Sequence, residues 1–111
     1  MEKINLLLIE SSESDALVVA ELLSNSEQFD YDISHLVNLE ETNSFLKDNQ
    51  VDVVLVNLLL SDSYGIHTFD LLFHEYSEIP FVVLTEFDDQ LIGINAVKKG
   101  AQDYIIKEEI N

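Results

Sequence analysis

Cysteine is absent from the 111 residues. A disulfide frame and a thiolate metal site are therefore both excluded. Tryptophan is also absent, and glycine occurs only 3 times. With no glycine-rich phosphate loop and no indole to stack on a flavin, a small nucleotide- or flavin-binding enzyme finds little support. The single proline is Pro80. Lys and Arg together number 5 against 22 Asp and Glu, a formal charge of −17. Such a field repels nucleic-acid phosphates and anionic membrane surfaces, so neither is an expected partner. Basic proteins, or proteins that dock on an apolar patch, suit it better. No apolar run is long enough to span a bilayer, and the first residues do not form a signal-peptide pattern. A cytoplasmic location is the expectation.

What is present is a regular alternation. The length suits one domain, residues 1–111, and 47% apolar residues suffice for its core. Lys3 to Ile9 reads as a nearly continuous apolar strand. Ser12 and Asp15 form a capping-box pattern, after which Ala16, Val19, Ala20 and Leu23 fall at helical spacing. Tyr31 to Leu36 alternates in polarity, as an edge strand would. Asn38 with Glu41 caps a short second helix carrying Leu39, Phe45 and Leu46. Val51 to Val56 is a β-branched run expected to be a strand buried on both faces. Phe69, Leu72, Phe73 and Tyr76 mark a third helix. Pro80 opens a fourth strand that ends at Thr85. Asp88 or Asp89 is the expected cap of a fourth helix containing Gly93, Ala96, Val97 and Gly100. Tyr104-Ile105-Ile106 forms a short fifth strand. His35, His67 and His74 are scattered without metal-ligand spacing and read as structural or surface residues.

Strands alternating with helices imply an α/β fold of three layers around a doubly wound parallel sheet. Right-handed crossovers and an edge position for the second strand favour the flavodoxin-like order 2-1-3-4-5. Connection handedness places the first helix on a face that it would share only with a helix after Ile106. No helix-length segment follows, so the final helix is expected to be missing. That face is then covered by a partner, by a second copy in a homodimer, or by a chain that continues into an output domain.

Four strands release a polar residue at their carboxyl ends: Glu10, Asn57, Thr85 and Lys107. In this topology those ends converge on one crevice. Three stretches stand around it: Leu6-Leu7-Leu8-Ile9-Glu10-Ser11, Asn57-Leu58-Leu59-Leu60-Ser61-Asp62-Ser63-Tyr64-Gly65, and Gly100-Ala101-Gln102-Asp103-Tyr104-Ile105-Ile106-Lys107. With Val82-Val83-Leu84-Thr85 and Asp88-Asp89, they resemble the receiver domain of two-component response regulators along essentially the whole chain. The resemblance implies a CheY-like fold and a place in phosphorelay signal transduction, with a histidine kinase or an output domain as partner. In that family an Asp at the end of the third strand accepts a phosphoryl group from a phosphohistidine. Mg²⁺ bridges that Asp, acids on the first loop and a backbone carbonyl, which correspond here to Glu10, Ser11 and Leu59. Thr85 and Lys107 match the phosphate-binding hydroxyl and ammonium, and Tyr104 matches the switch aromatic.

The departures fall on the chemistry. The phosphoacceptor position holds Asn57, whose neutral amide cannot form an acyl phosphate. The second acid of the first loop is Ser11, so Glu10 alone remains of three carboxylates, a poor Mg²⁺ site. Glu86 replaces the small residue that leaves room for phosphate, and Glu108 stands where Pro often follows the Lys. Lys107 is expected to pair with Glu10 or Glu86. These losses imply a degenerate pseudo-receiver that is not an enzyme, needs no cofactor and works by protein–protein interaction. The alternative is a functional phosphoacceptor receiver carrying an Asp-to-Asn substitution at residue 57, which would use Mg²⁺. The docking surface implied by the resemblance is the fourth helix, the fifth strand and the adjoining turns.

Overall fold

The computed structural model describes residues 3–109. Five strands alternate with four helices: β1 (Lys3–Ile9), α1 (Glu13–Ser24), β2 (Asp30–Leu36), α2 (Leu39–Asp48), β3 (Val53–Asn57), α3 (Ile66–Tyr76), β4 (Phe81–Thr85), α4 (Gln90–Lys99) and β5 (Asp103–Ile106). Short 3₁₀ turns at Phe87–Asp89 and Lys107–Glu109 complete the described chain. All strand pairs are parallel, in the order β2-β1-β3-β4-β5, as the sequence pattern predicts.

The pleat divides the apolar residues between two cores. On one face Leu7, Ile9, Val54, Val56, Phe81 and Val83 pack beneath α2, α3 and α4. On the other Leu6, Leu8, Leu55 and Leu84 meet Ala16 and Val19 of α1. The first core is anchored by Phe69, which stacks on Phe73 at 5.1 Å and meets Phe81 edge-on at 5.9 Å. Phe73 in turn determines where α4 stops. Gly100 has φ +129°, and a Cβ there would lie 2.5 Å from the Phe73 ring, so both the conformation and the contact require glycine.

Three local details differ from the sequence pattern. The third strand begins at Val53 rather than Val51, because Asp52 diverts the ladder. Its N–H donates to the Asn5 carbonyl at 2.7 Å while its carboxylate accepts from the Asn5 N–H at 2.8 Å. A side chain thus takes the place of a backbone carbonyl, and β1–β3 pairing starts at Leu6↔Val53. The expected aspartate cap of α4 is also not made. Asp89 occupies the N-cap position without a side-chain bond, and its N–H closes the preceding 3₁₀ turn on the Glu86 carbonyl at 2.9 Å. Finally, the α1 capping box closes differently. Ser12 Oγ accepts from the Asp15 N–H at 3.2 Å, but the Ser12 N–H donates to Glu10 rather than to Asp15.

An unanticipated cap joins two loops. Asp62, in the β3–α3 loop, accepts from the N–H groups of Leu39 at 2.9 Å and Glu40 at 3.0 Å. It therefore supplements Asn38 at the start of α2 from 22 or 23 residues away. The bond from Leu39, opposed by desolvation and helped by the bond from Glu40, holds the Asp62 carboxyl below the usual aspartate range. A depressed folded-state pKa stabilises the protein above the unfolded value, about 3.9, and that contribution is lost as pH falls through the lowered folded value. Asp62→Ala is expected to lower stability by about 1 kcal/mol in urea denaturation at neutral pH. The gap to the parent should close at low pH; a gap that persists unchanged there would sink the assignment.

Candidate functional site

The carboxyl ends of β1, β3, β4 and β5 meet, and a single buried carboxylate organises them. Glu10 follows β1 and is 1% exposed. Its backbone is fixed on both sides. The N–H donates to the Leu36 carbonyl at 3.0 Å, and His35 Nε2 donates to the Glu10 carbonyl at 2.8 Å. Because a carbonyl only accepts, this contact requires the proton of His35 to sit on Nε2.

A carboxylate this buried needs neutralisation and donors. Lys107 Nζ lies 2.8 Å from Oε1. The Ser12 N–H donates to Oε2 at 3.1 Å. Asn57 Nδ2 donates to Oε1 at 3.0 Å and to Oε2 at 3.2 Å. Asn57 Oδ1 accepts from the Leu59 N–H at 2.9 Å. The amide is thus oriented by its neighbours, since only the NH₂ end can face a carboxylate and only the oxygen can take the Leu59 proton. Asn57 is the last residue of β3, one step beyond the end expected for that strand.

Lys107 has a second anion. Its Nζ is 2.5 Å from Asp15 Oδ2 on α1. Burial disfavours the ammonium, but the hydrogen bonds and charges of Asp15 and Glu10 outweigh it and raise the Lys107 pKa. Stability gained this way is complete below the ordinary lysine value, about 10.4, and is lost as pH rises through the raised one. Glu86 is not a partner of Lys107, contrary to one of the two pairings expected. Asp15 takes that role, 92 residues away in sequence.

The remaining expected residues divide. Ser11 is exposed and its hydroxyl donates weakly to the Leu59 carbonyl at 3.4 Å. Thr85 is buried beside Asn57, and its Oγ1 has no hydrogen-bond partner among the described residues. Asn57, Leu59, Thr85 and Glu86 share a cavity of about 10 Å³, about the volume one water centre requires. Tyr104 stands apart from the polar cluster. Its ring lies on α4, where a Cβ at Gly93 would be 2.6 Å from Tyr104 Cγ. It is half-buried against the larger core.

Two contributors were missed by sequence reasoning. Asp15 reads as an ordinary first-turn acid; the only available signal was that a lysine at a buried strand end needs more than one counter-charge. Glu108 accepts from the Phe87 N–H at 3.1 and 3.2 Å, tying the β4–α4 loop to the end of β5. No local pattern announces that contact.

The oxygens available to a divalent cation here would be the Glu10 carboxylate, the Ser11 hydroxyl and the Leu59 carbonyl. The carboxylate is already engaged by Lys107, Asn57 and the Ser12 N–H, and the Asn57 oxygen is turned away toward Leu59. One ammonium, Lys107, is shared by the two carboxylates of Glu10 and Asp15.

Comparison with known proteins converges on one family. The family model for the response regulator receiver domain matches residues 6–110. The chain is 28% identical over 79 residues to a protein of Cyanidium caldarium named "Probable transcriptional regulator ycf27". That match takes in 69% of this chain and 30% of the relative, so the chain spans under a third of that protein's length. Among solved structures, the N-terminal signal receiver domain of a two-component system response regulator from Bacteroides fragilis superposes with a TM-score of 0.82 at 19% identity, covering 97% of this chain and 86% of that one. Full-length FixJ from B. japonicum gives a TM-score of 0.83 at 17% identity, covering 96% of this chain and 51% of FixJ. At such identities the structures attest the shared fold.

Removing the ammonium while leaving the buried carboxylate should be costly. Lys107→Met is expected to lose about 3–5 kcal/mol in urea unfolding. Combining it with Glu10→Gln should recover a large part of that loss, giving a favourable coupling in a double-mutant cycle. Additive losses would show that the pair does not interact. Thr85→Val, by contrast, should be neutral or slightly stabilising, since it removes a hydroxyl that has no partner.

Proposed function

The chain belongs to the response regulator receiver domain family, and from that premise we propose that it is a receiver whose state is set by protein contacts rather than by phosphorylation. Receiver domains are regulatory modules of two-component signalling. Their partners are kinases that supply phosphoryl groups and output domains that read them. What carries the present reading is the bond between Asn57 and Glu10. At the phosphoacceptor position stands an amide, whose nitrogen donates to the neighbouring carboxylate at 3.0 and 3.2 Å. An amide has no free carboxylate oxygen to attack phosphorus, and its NH₂ face is committed to Glu10.

Three further features point the same way. A Mg²⁺ ion would have to displace Lys107 from Glu10, and it would find one carboxylate where such cations require several anionic oxygens. The cavity between Asn57 and Thr85 has room for about one water centre. Glu86 adds a negative charge at its mouth and would repel a phosphate. On this reading the domain needs no metal cofactor and has no phosphotransfer activity of its own.

Interaction then falls to exposed surface. Leu91, Ile94 and Val97 are all solvent-exposed along α4, beside β5, and Phe87 is exposed on the turn before them. A contiguous apolar strip on a strongly acidic molecule suits docking of a partner protein. A histidine kinase or an output domain is the partner class this family membership favours, and a cytoplasmic location accords with it.

Intact mass after exposure to acetyl phosphate with Mg²⁺, together with beryllofluoride binding, tests the proposal on this chain and on Asn57→Asp. Neither variant is expected to gain a phosphoryl group or bind the mimic. In Asn57→Asp two carboxylates would face each other across about 3 Å, so that variant should also be less stable than the parent at neutral pH. Uptake by Asn57→Asp alone would overturn the reading and identify a working receiver silenced by one residue.

A further inference from the structure

The polar contacts of Glu10 continue away from the crevice and close into a ring. On one side Glu10 holds the end of β2. Its N–H donates to the Leu36 carbonyl at 3.0 Å, and its carbonyl accepts from His35. Asn38, the N-cap of α2, follows directly after that strand end and Val37. On the other side the Glu10 carboxylate holds Asn57, whose Oδ1 accepts from the Leu59 N–H at 2.9 Å. Further along the same loop, Asp62 takes the Leu39 and Glu40 N–H groups at the start of α2. The first turn of α2 is therefore reached from Glu10 by two routes, through β2 and through residue 57 and the β3–α3 loop.

The loop has the construction of a stiff element. Leu58 and Leu60 are 1% and 6% exposed and belong to the larger core. Leu59 and Tyr64 pair across it, the Leu60 N–H donates to the Ser63 carbonyl at 2.9 Å, and the Gly65 N–H donates to the Leu58 carbonyl at 2.7 Å. Ser63 and Thr68 share a hydrogen bond of 2.6 Å at the start of α3. Close packing leaves such a segment few ways to deform locally, and no glycine lies between Asn57 and Asp62 to act as a hinge. The first turn of α2 is the soft end. The helix has 10 residues, too short to hold by itself, and its first N–H groups have no partner within the helix. Asp62 satisfies two of them, and Asn38 Oδ1 satisfies that of Glu41. Held by Asp62 the turn is helical; released from it, the turn frays.

We propose that the β3–α3 loop is a strut that couples the crevice to the first turn of α2. An event at residue 57 or Glu10 moves Leu59, and with it the hold of Asp62 on Leu39 and Glu40. By linkage, seating or fraying that turn changes the contact between Asn57 and Glu10 in return. Tyr104, packed on α4 against the larger core, takes no part. The coupling does not depend on whether residue 57 can be phosphorylated, so it stands apart from the function proposed above.

Amide hydrogen exchange followed by NMR on the full chain tests the coupling in both directions. In Asn57→Ala the Leu59 N–H loses its acceptor. Exchange at Leu39 and Glu40 is then expected to rise about fivefold more than any change in the middle of α1 and α3. In Asp62→Ala, which alters only the loop tip, the side-chain NH₂ resonances of Asn57 are expected to shift and exchange at Leu59 to rise. Adding Asn57→Ala to Asp62→Ala should leave Leu39 and Glu40 exchanging as in Asp62→Ala alone, because the strut is already cut. Exchange at Leu39 and Glu40 that follows α1 and α3 in Asn57→Ala would overturn the proposal, since it reports only a global loss of stability. So would an equal acceleration when Asp62 is already absent. Should Asn57→Ala fail to fold, Asp62→Ala decides alone: an Asn57 NH₂ group and a Leu59 amide identical to the parent's would refute the coupling.

Discussion

A carboxylate removed from water has to be neutralised, and the site follows from how this chain does it. Glu10 is placed at a buried strand end by the β1 ladder and fixed through both backbone groups by β2. Once there, it draws an ammonium from beyond β5, an amide from the end of β3 and a backbone N–H from the start of α1. The end of β1 is thereby joined to the adjacent start of α1 and, across the sequence, to the ends of β3 and β5. Desolvation makes the arrangement demanding, because any partner removed leaves charge or a donor stranded in a region that water does not reach.

The same interaction makes the residues at the crevice mutually consistent. An aspartate at residue 57 would oppose Glu10 and call for a divalent cation. An asparagine offers it hydrogen, and Lys107 supplies the positive charge that a metal would otherwise bring. Lys107 is also drawn toward α1 by Asp15, away from the Thr85 cavity. Among the described residues Thr85 Oγ1 has no hydrogen-bond partner, and the cavity beside it has room for about one water centre. Glu10, Asn57, Asp15 and Lys107 engage one another, and Thr85 stands outside that network.

The surfaces around the crevice are set by contacts of a different kind. Gly93 lets the Tyr104 ring lie directly on α4, and Glu108 ties the loop after β4 to the end of β5. Both restrain the segments that frame the exposed strip of α4. On the opposite face, among the described residues, α1 packs on the sheet, and its Asp15 is tied to Lys107 just beyond β5.

The order of elements, the parallel sheet and its strand order were legible in the sequence, because each rests on local periodicity and on the fixed handedness of crossovers. The crevice residues Glu10, Asn57, Thr85 and Lys107 were legible for the same reason, since strand ends in such a sheet share one side. That an amide stands at residue 57 required only the identity of one side chain. Pairings across long sequence separations were decided by the tertiary structure alone. Asp15 looked like a cap and became the second anion of Lys107; Asp62 looked like a turn residue and became a cap for α2; Asp52 shortened a strand whose β-branched residues suggested an earlier start. In each case a carboxylate could satisfy a nearby backbone group or a distant donor. Burial and geometry, which exist only after the chain has folded, determined which it took.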